Sequence, residues 1–561
     1  MMTGSYLKKK IINIPVVIAF TTLYTIIIFL NTIDIFYFRF HLQRADADLL
    51  YVLRNPFLNG TLTVYLIVFA ALIFCMLTAR WVSKNLSRIS LAAEQTNRFW
   101  FTNLLLILLI ALFFLSGTKK IIPTSPLTEI DAVQLPATQN SFHSFIYSLY
   151  RKNEVTVPDI HYMSTSAQQS LFSIHKKNSN KIEETKNIVL FIMESVPASF
   201  FDSSSRYKVT MPFLDSLVNK STWFSNAFSY AYNSNKGITA ILAGIPTITD
   251  IPLYHSNYTS IDRTSVGTAL AKKNYQSAFF IGDNYDDLGF AKCCKWLGIE
   301  KYYCMEDIPG HQQMEKHSLG LHDEYVLNFM QEKLAGMQQP FFAVQYNIST
   351  HYPNDIPKGY SNSYPNNHLT RPMKSMQYYN DCLRQFFTTA VKQPWYNNTV
   401  FIFCADHWAQ PDDDNVAIDP VQSFRIPLFI YEPGKNNRLR ISAPVSQLDV
   451  LNTVLHFANY QDSIISYGED LTDSLPDTGR VIYTKINSVV YQAITNEYVL
   501  GFNAVEGKAL YCYNYKQDPA KKHDLLASHV ILPEVSKIIL QMKAFLQTTA
   551  NHYHAIKVQH L

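Results

Sequence analysis

The sequence predicts an α/β domain with a mainly parallel central sheet, placed after an N-terminal part made of transmembrane helices. Three observations predict it. From Asn187 onward, short apolar runs (NIVLFIM, SAFFIG, FFAVQYN, NTVFIFC, IPLFIYE) alternate with helical stretches such as MPFLDSLVNK, SVGTALAKKN, DEYVLNFMQEKLAG and SMQYYNDCLRQFFTTAV. That alternation builds parallel sheets. Before it lie three uncharged apolar stretches of spanning length, at 11–30, 61–78 and 99–116. The strand-like runs end on acids or histidines, where ligands of such sheets bind.

Length and composition agree. At 561 residues the chain exceeds one domain. Hydrophobic residues at 48% and charged residues at 16% suit a membrane protein with a large soluble part. A net charge of +4 is too small for nucleic acid to be the expected partner and is compatible with anionic lipid. Aromatics at 14% fit interfacial belts and a carbohydrate- or lipid-facing surface, or a dense core.

Basic residues set the orientation. Lys8, Lys9 and Lys10 precede the first span, and Arg80, Lys84, Arg88 and Arg98 fill the second connection against Glu94 alone. The N-terminus is therefore expected inside, and everything after the third span on the periplasmic or extracellular side of a bacterial plasma membrane. The expected organisation is a transmembrane part at 1–118, a connector at 119–186 with one amphipathic helix at 141–153, a catalytic domain at 187–548, and a frayed tail at 549–561. Seven cysteines contain no CxxC pair, so a thiolate zinc site is not expected. Cys293, Cys294 and Cys304 are close enough for one local bridge in an oxidising compartment.

The chemistry centres on Asn233 to Pro246, NSNKGITAILAGIP. Ser234 stands at the start of a small-residue helix, where free N–H groups and the positive dipole end favour an anion. The same pattern also serves as a plain N-cap. Thr239 is the rival hydroxyl, but inside the helix it is expected to bond back to the preceding turn. Lys236 either pairs with substrate phosphate or is a solvated first-turn lysine. Glu194 follows NIVLFIM, Asp406 and His407 follow NTVFIFCA, His351 follows FFAVQYN, and Asp283 follows SAFFIG. Glu, Asp and His with a hydroxyl form a ligand set for one divalent metal, Mn²⁺ or Zn²⁺. Asp283 orients substrate or forms a turn. Tyr285 and Trp296 stack on a headgroup or sugar, with core packing the better expectation for Trp296. His317 and His322 have no ligand spacing.

The order NIVLFIMES, nucleophile stretch, STHYP, FCADHW, IPLFIYEPG resembles the alkaline phosphatase and sulfatase superfamily. It is most similar to the membrane branch of lipoteichoic acid synthase-like phosphoglycerol transferases. Met211-Pro-Phe-Leu-Asp, Ser446-Gln-Leu-Asp-Val and Asp518-Pro519 are further matches, and Ser234 precedes Gly244 as the nucleophile precedes the signature glycine. The resemblance implies an alkaline phosphatase-like fold from Asn187 onward, Glu194, Ser234, Asp406 and His407 as metal ligands and nucleophile, and His351 holding the substrate phosphate. Departures are serine for the branch's threonine, Trp408 for the glycine of Asp-His-Gly, Leu319 for a tryptophan, which leaves the role of Asp323 open, and three spans where five are common. Lys236 and Ile238 replace the Pro and Arg that formylglycine maturation requires, which argues against a sulfatase.

The expected function is therefore a membrane-anchored, metal-dependent phosphotransferase. It would move a phosphoglycerol-type headgroup from a phospholipid donor, through a phosphoserine, to an envelope glycan or lipid acceptor. A phosphate- or sulfate-ester hydrolase, a phosphoethanolamine transferase, and an inactive envelope-binding protein of the same fold are the alternatives.

Overall fold

The computed structural model describes residues 157–556 apart from 178–183, 250, 286–288, 365–368, 413–418, 436, 477–478, 488 and 528–530, together with 27–34, 70, 73–74 and 77. The chain divides into two compact units, Met1–Glu154 and Val155–Leu561. In the first, residues 27–34 are helical. Asn31 and Thr32 donate back to the carbonyls of Ile27 and Ile28 at 2.7 and 2.8 Å, which satisfies polar groups in an apolar helix. Nearly all of the three expected spans, and the whole of the amphipathic helix at 141–153, lie outside the described residues. Among the described residues no helix is long and apolar enough to cross a membrane.

The second unit is built on an eight-stranded sheet. Its strands are β1 (Asn187–Met193), β2 (Thr222–Phe224), β3 (Gln276–Ile281), β4 (Lys301–Tyr303), β5 (Phe341–Tyr346), β6 (Thr399–Ala405), β7 (Leu428–Tyr431) and β8 (Arg440–Ile441), in the order β8-β2-β7-β6-β1-β5-β3-β4. β6, β1, β5, β3 and β4 run parallel, β7 is antiparallel to both its neighbours, and β8 is parallel to β2. The sheet is thus mainly parallel, as the sequence predicts. Every residue of β1, β5 and β6 is buried, which is why these strands read as unbroken apolar runs instead of alternating ones.

Helices cover both faces. They include α1 (Ser234–Ala243), α2 (Asp323–Gly336), α3 (Arg371–Ala390), α4 (Val450–Phe457) and α5 (Pro533–His554). On one face Phe191, Phe403 and Phe429 form a ladder across β1, β6 and β7, with ring centroids 4.6 and 4.4 Å apart. Phe386 and Phe387 of α3 pack onto it. α4 packs against α1 and β1. Such aromatic pairs add about 0.5–1.5 kcal/mol each beyond the area they bury.

A second, antiparallel sheet follows, with β9 (Ile482–Lys485), β10 (Val490–Ile494), β11 (Tyr498–Asn503) and β12 (Lys508–Asn514) in sequential order. α5 lies against it, Phe545 stacking on Tyr483 at 4.0 Å. The apolar stripe of α5 continues through Tyr553, which is fully buried and donates to the Pro246 carbonyl at 2.8 Å, just beyond α1. The first residues of the expected tail are therefore the last turn of a packed helix. Val157, Ile160 and Ile174, from the expected connector, join the same core.

The local disulfide expected among Cys293, Cys294 and Cys304 is absent. All three are free, buried thiols. Burial pushes each thiol pKa up, so they behave as small apolar side chains. Trp296 donates its indole N–H to the Thr259 carbonyl at 2.7 Å and lies under Arg263, so it packs structurally. Tyr285 is exposed.

Candidate active site

Strand register assembles the site. Met193 is level with Ala405, so the next residues, Glu194 and Asp406, leave β1 and β6 side by side. Tyr346 at the end of β5 is level with Ile192 on one side and Ile281 on the other. That brings the 347–351 loop and Asp283 to the same edge. α1 points its first turn into it. Asn233 caps the helix, its side chain accepting from the Lys236 N–H, and Ser234 is the first helical residue.

Glu194, Asp406 and His407 offer ligand atoms that all lie within 4.8 Å of one another. Ser234 Oγ donates to Glu194 Oε2 at 3.1 Å and lies 3.3 Å from His407 Nε2. His407 Nε2 is 3.5 Å from Glu194 Oε1 and 3.6 Å from Asp406 Oδ2. His407 Nδ1 lies 2.9 Å from the Trp408 carbonyl, to which its N–H donates, so Nε2 is the nitrogen turned to the site. Both carboxylates are buried. Burial opposes their ionisation. The His407 hydrogen bond and charge nonetheless hold Glu194 well below the usual carboxylate range, while burial and the Glu194 charge push Asp406 well above it. Burial also opposes a charge on His407, yet Asp406 and Glu194 raise its pKa to about 10.

Two dry carboxylates and an imidazole that share a proton are a donor set for a divalent cation, which would replace that proton. The residues fit a metal: Glu194, Asp406, His407 and Ser234 Oγ would hold it. An N/O set of this kind suits Mn²⁺ or Zn²⁺ equally.

The surroundings fix these donors. Tyr346 donates to Asp406 Oδ2 at 2.8 Å, and the backbone N–H groups of Ser195 and His407 donate to Oδ1 at 2.9 and 2.7 Å. Ser195 sits at φ 58, a turn that re-aims the chain straight after Glu194. Asn347 accepts from the Glu194 N–H at 2.7 Å and donates to Thr350 Oγ1, which donates to the Glu194 carbonyl at 2.6 Å. Gln447 donates to the carbonyls of Ala405 and Asp406. Asp323 accepts from the backbone N–H groups of Ile348 and Ser349 at 3.2 and 3.0 Å, anchoring the loop that carries His351. Removing the hydroxyl in Tyr346→Phe keeps the buried ring but leaves Asp406 short of a donor. We expect divalent-metal affinity to fall about 10–100-fold with little change in melting temperature. Metal titration of the purified chain measures it.

Residues 186–460 match the Sulfatase family. Lipoteichoic acid synthase 2 of Bacillus subtilis (strain 168) is 24% identical over 350 residues, covering 56% of this chain and 52% of the relative. Lipoteichoic acid synthase of Staphylococcus aureus (strain NCTC 8325 / PS 47) is 22% identical over 317 residues, 52% of this chain and 48% of the relative. This chain spans about half the length of the curated relatives it matches. A solved protein of the alkaline phosphatase superfamily from Vibrio parahaemolyticus superposes with TM-score 0.59 at 20% identity, over 70% of this chain and 97% of that one. Residues 186–460 are thus a Sulfatase-family match on an alkaline phosphatase-like fold. The lipoteichoic acid synthase of Listeria monocytogenes shares the fold at TM-score 0.56 and 17% identity, over 70% of this chain and 99% of that one.

The remaining candidates separate by position. Thr239 is buried and donates back to the Asn235 carbonyl at 2.8 Å, so it is not presented as a nucleophile. Lys236 is 3% exposed, against the reading of it as a solvated lysine, and forms no ion pair among the described residues. Asp283 is buried, and its Oδ1 accepts from the Asn284 N–H at 2.8 Å while its carbonyl accepts from Met305. Those two bonds place it in the turn that follows β3. His351 is partly exposed, its Nδ1 2.6 Å from the Tyr352 carbonyl, and its charge contributes to holding Glu194 ionised. Sequence reasoning missed Tyr346, Asn347, Thr350 and Gln447. The available signal was a polar side chain at the end of, or just past, an apolar strand.

Proposed function

We propose that this protein is a membrane-anchored, metal-dependent phosphotransferase that moves a phosphorylated headgroup from a phospholipid to an envelope acceptor. The observation that carries the reading is the Ser234 hydroxyl, held at a helix start within hydrogen-bond reach of Glu194 and His407. A bound divalent cation would lower the pKa of that hydroxyl and neutralise phosphoryl charge.

The chain's own groups then divide the work. Glu194 takes the hydrogen bond of the Ser234 hydroxyl and with it the proton as Oγ attacks phosphorus. The Oγ–P bond forms and the bond from phosphorus to the diacylglycerol oxygen breaks. His351 holds the transferred group and protonates the departing oxygen. In the second displacement an acceptor hydroxyl attacks phosphorus and gives its proton to His351, while the bond from phosphorus to the Ser234 oxygen breaks and that oxygen recovers its proton from Glu194. Splitting one hard displacement into two is the benefit of the covalent route. Lys236, in the first turn of α1 with no carboxylate paired to it, supplies charge to the phosphate. Asp283 shapes the substrate edge. Three apolar stretches ahead of the catalytic unit support anchoring beside a lipid donor, with that unit on the periplasmic or extracellular face. The curated relatives are lipoteichoic acid synthases, which supports a phosphoglycerol-type group.

The experiment is incubation of the metal-loaded full chain with vesicles containing phosphatidylglycerol or phosphatidylethanolamine, measuring diacylglycerol and free headgroup phosphate. Diacylglycerol released with the headgroup phosphate transferred to an added alcohol supports the transferase. Diacylglycerol with all the headgroup phosphate free in water favours a hydrolase. No release from either lipid refutes the proposal.

A further inference from the structure

Asp323 is a buried carboxylate with no cation to balance it. It is 0% exposed, and among the described residues it forms no ion pair. A lone charge in such a place is costly. What holds it is a set of N–H groups. Oδ1 accepts from the Ile348 N–H and from Gln345 Nε2, both at 3.2 Å, and Oδ2 accepts from the Ser349 N–H at 3.0 Å. Asp323 is also the first residue of α2, where the positive end of the helix favours an anion.

The same bonds reach His351 through the main chain. Ile348 gives its N–H to Asp323, and its carbonyl accepts the His351 N–H at 3.0 Å. The peptides that Asp323 grips therefore form the turn that His351 closes. Beyond the turn, Asn354 donates its backbone N–H to the His351 carbonyl and its side chain to the Thr350 carbonyl, each at 2.7 Å. Gln345 cannot replace the carboxylate, because its Oε1 already accepts from Tyr379 at 2.6 Å. The Ile348 and Ser349 N–H groups each take a different oxygen of Asp323. An amide would offer them one oxygen between them, and a protonated carboxyl accepts more weakly than the anion.

We propose that Asp323 is a positioning residue: as a carboxylate it clamps the Ile348–His351 turn and so holds the His351 imidazole where the transferred phosphoryl group is captured. The inference rests on the phosphotransfer reading, in which His351 faces substrate. It makes phosphate capture acid-sensitive through a group that never touches phosphate.

The direction of that sensitivity follows from the surroundings. Burial pushes the Asp323 pKa up to about 6, and the N–H groups of Ser349 and Ile348 limit the rise. The titratable groups facing it are Tyr378, Tyr379 and Cys382 of α3, with His322 and Glu324 beside it in the chain. Burial raises the pKa of the first three and lowers that of His322, so these four are uncharged near neutrality. Asp323 is therefore ionised above about pH 6 and protonated below it, and the clamp is lost as pH falls through that value.

Inorganic phosphate tests the inference without any lipid or acceptor. Calorimetric titration into the metal-loaded full chain, at about pH 8 and about pH 5, compares wild type, His351→Ala, Asp323→Asn and the double variant. Circular dichroism checks that each is folded. The ratio of wild-type to Asp323→Asn affinity at one pH cancels the titration of phosphate and of the metal centre. We expect it to be roughly tenfold at the higher pH, the effect of one charge-assisted hydrogen bond, and within about twofold at the lower. The double variant should bind no more weakly than His351→Ala alone, because Asp323 acts through His351. Should the asparagine variant not fold, Asp323→Ser, smaller and equally uncharged, gives the same comparison. Equal binding by wild type and variant at the higher pH overturns the inference. So does a loss of equal size at both pH values, which a purely structural brace would give, or a further loss when Asp323→Asn is added to His351→Ala. Phosphate binding that ignores His351 altogether overturns the phosphate-holding role on which the inference rests. The expected phosphate pattern without diacylglycerol release would defeat the lipid-donor reading and leave this one standing.

Discussion

Ser234→Ala is expected to lower donor turnover by at least about 10⁴-fold, the scale on which removing a covalent nucleophile acts. The fold should be untouched. The lost hydrogen bond to Glu194 is worth about 1 kcal/mol, and Ser234 lies at a helix start where a small side chain meets no packing demand. The contrast between a near-total loss of diacylglycerol release and an unchanged melting temperature is the signature. Thr239 provides the control: it is the nearest rival in sequence, but its hydroxyl is already spent on the Asn235 carbonyl. If Ser234→Ala kept more than a tenth of wild-type turnover, the attacking oxygen would have to come from elsewhere, water being the first candidate.

Gly237→Ala should damage both stability and turnover. In an exposed helix this substitution stabilises by roughly 0.5–1 kcal/mol. Here the new Cβ would stand 2.1 Å from the Asp406 carbonyl oxygen and 2.9 Å from its carbon. Both are backbone atoms, so no side chain can swing aside. Either α1 withdraws from β6 or Asp406 tilts, by about 1 Å in each case. Overpacking of this kind costs about 1–3 kcal/mol, which outweighs the helix-propensity gain. Misplacing catalytic groups by about 1 Å costs about 10²-fold in rate. We expect a lower melting temperature, read by circular dichroism, together with the rate loss. A Gly237→Ala protein as stable and active as wild type would mean that α1 and β6 do not approach as closely as described.

These predictions indicate which parts of the molecule the chain announces. The parallel strands are legible because they are buried on both sides and so form apolar runs bounded by polar residues. Glu194, Asp406 and His407 are legible because each directly follows such a run, where the sheet edge opens. Register is what sequence reading lacks: only the pairing of Met193 with Ala405 makes Glu194 and Asp406 neighbours. For the same reason Asn347 and Thr350 stayed hidden. Their partners are 153 and 156 residues away in the chain, and no spacing rule reaches that far. Burial of Lys236 was also illegible, because it depends on what α1 packs against and not on its position in the first turn. The cysteines mislead for a related reason. Nearness in sequence suggested a bridge, yet each thiol is buried and unpaired. The chain end reads as polar and frayed, although Tyr553 is buried against Pro246.

The most direct test of the central claim is the intact mass of the metal-loaded chain after exposure to phosphatidylglycerol or phosphatidylethanolamine, measured beside Ser234→Ala and followed by peptide mapping. The account predicts a glycerophosphate- or phosphoethanolamine-sized increment on the wild type, mapped to Ser234, lost in the variant, and discharged when an acceptor alcohol is added. Lipid turnover with no increment at any time, or an increment that persists in Ser234→Ala, would contradict it.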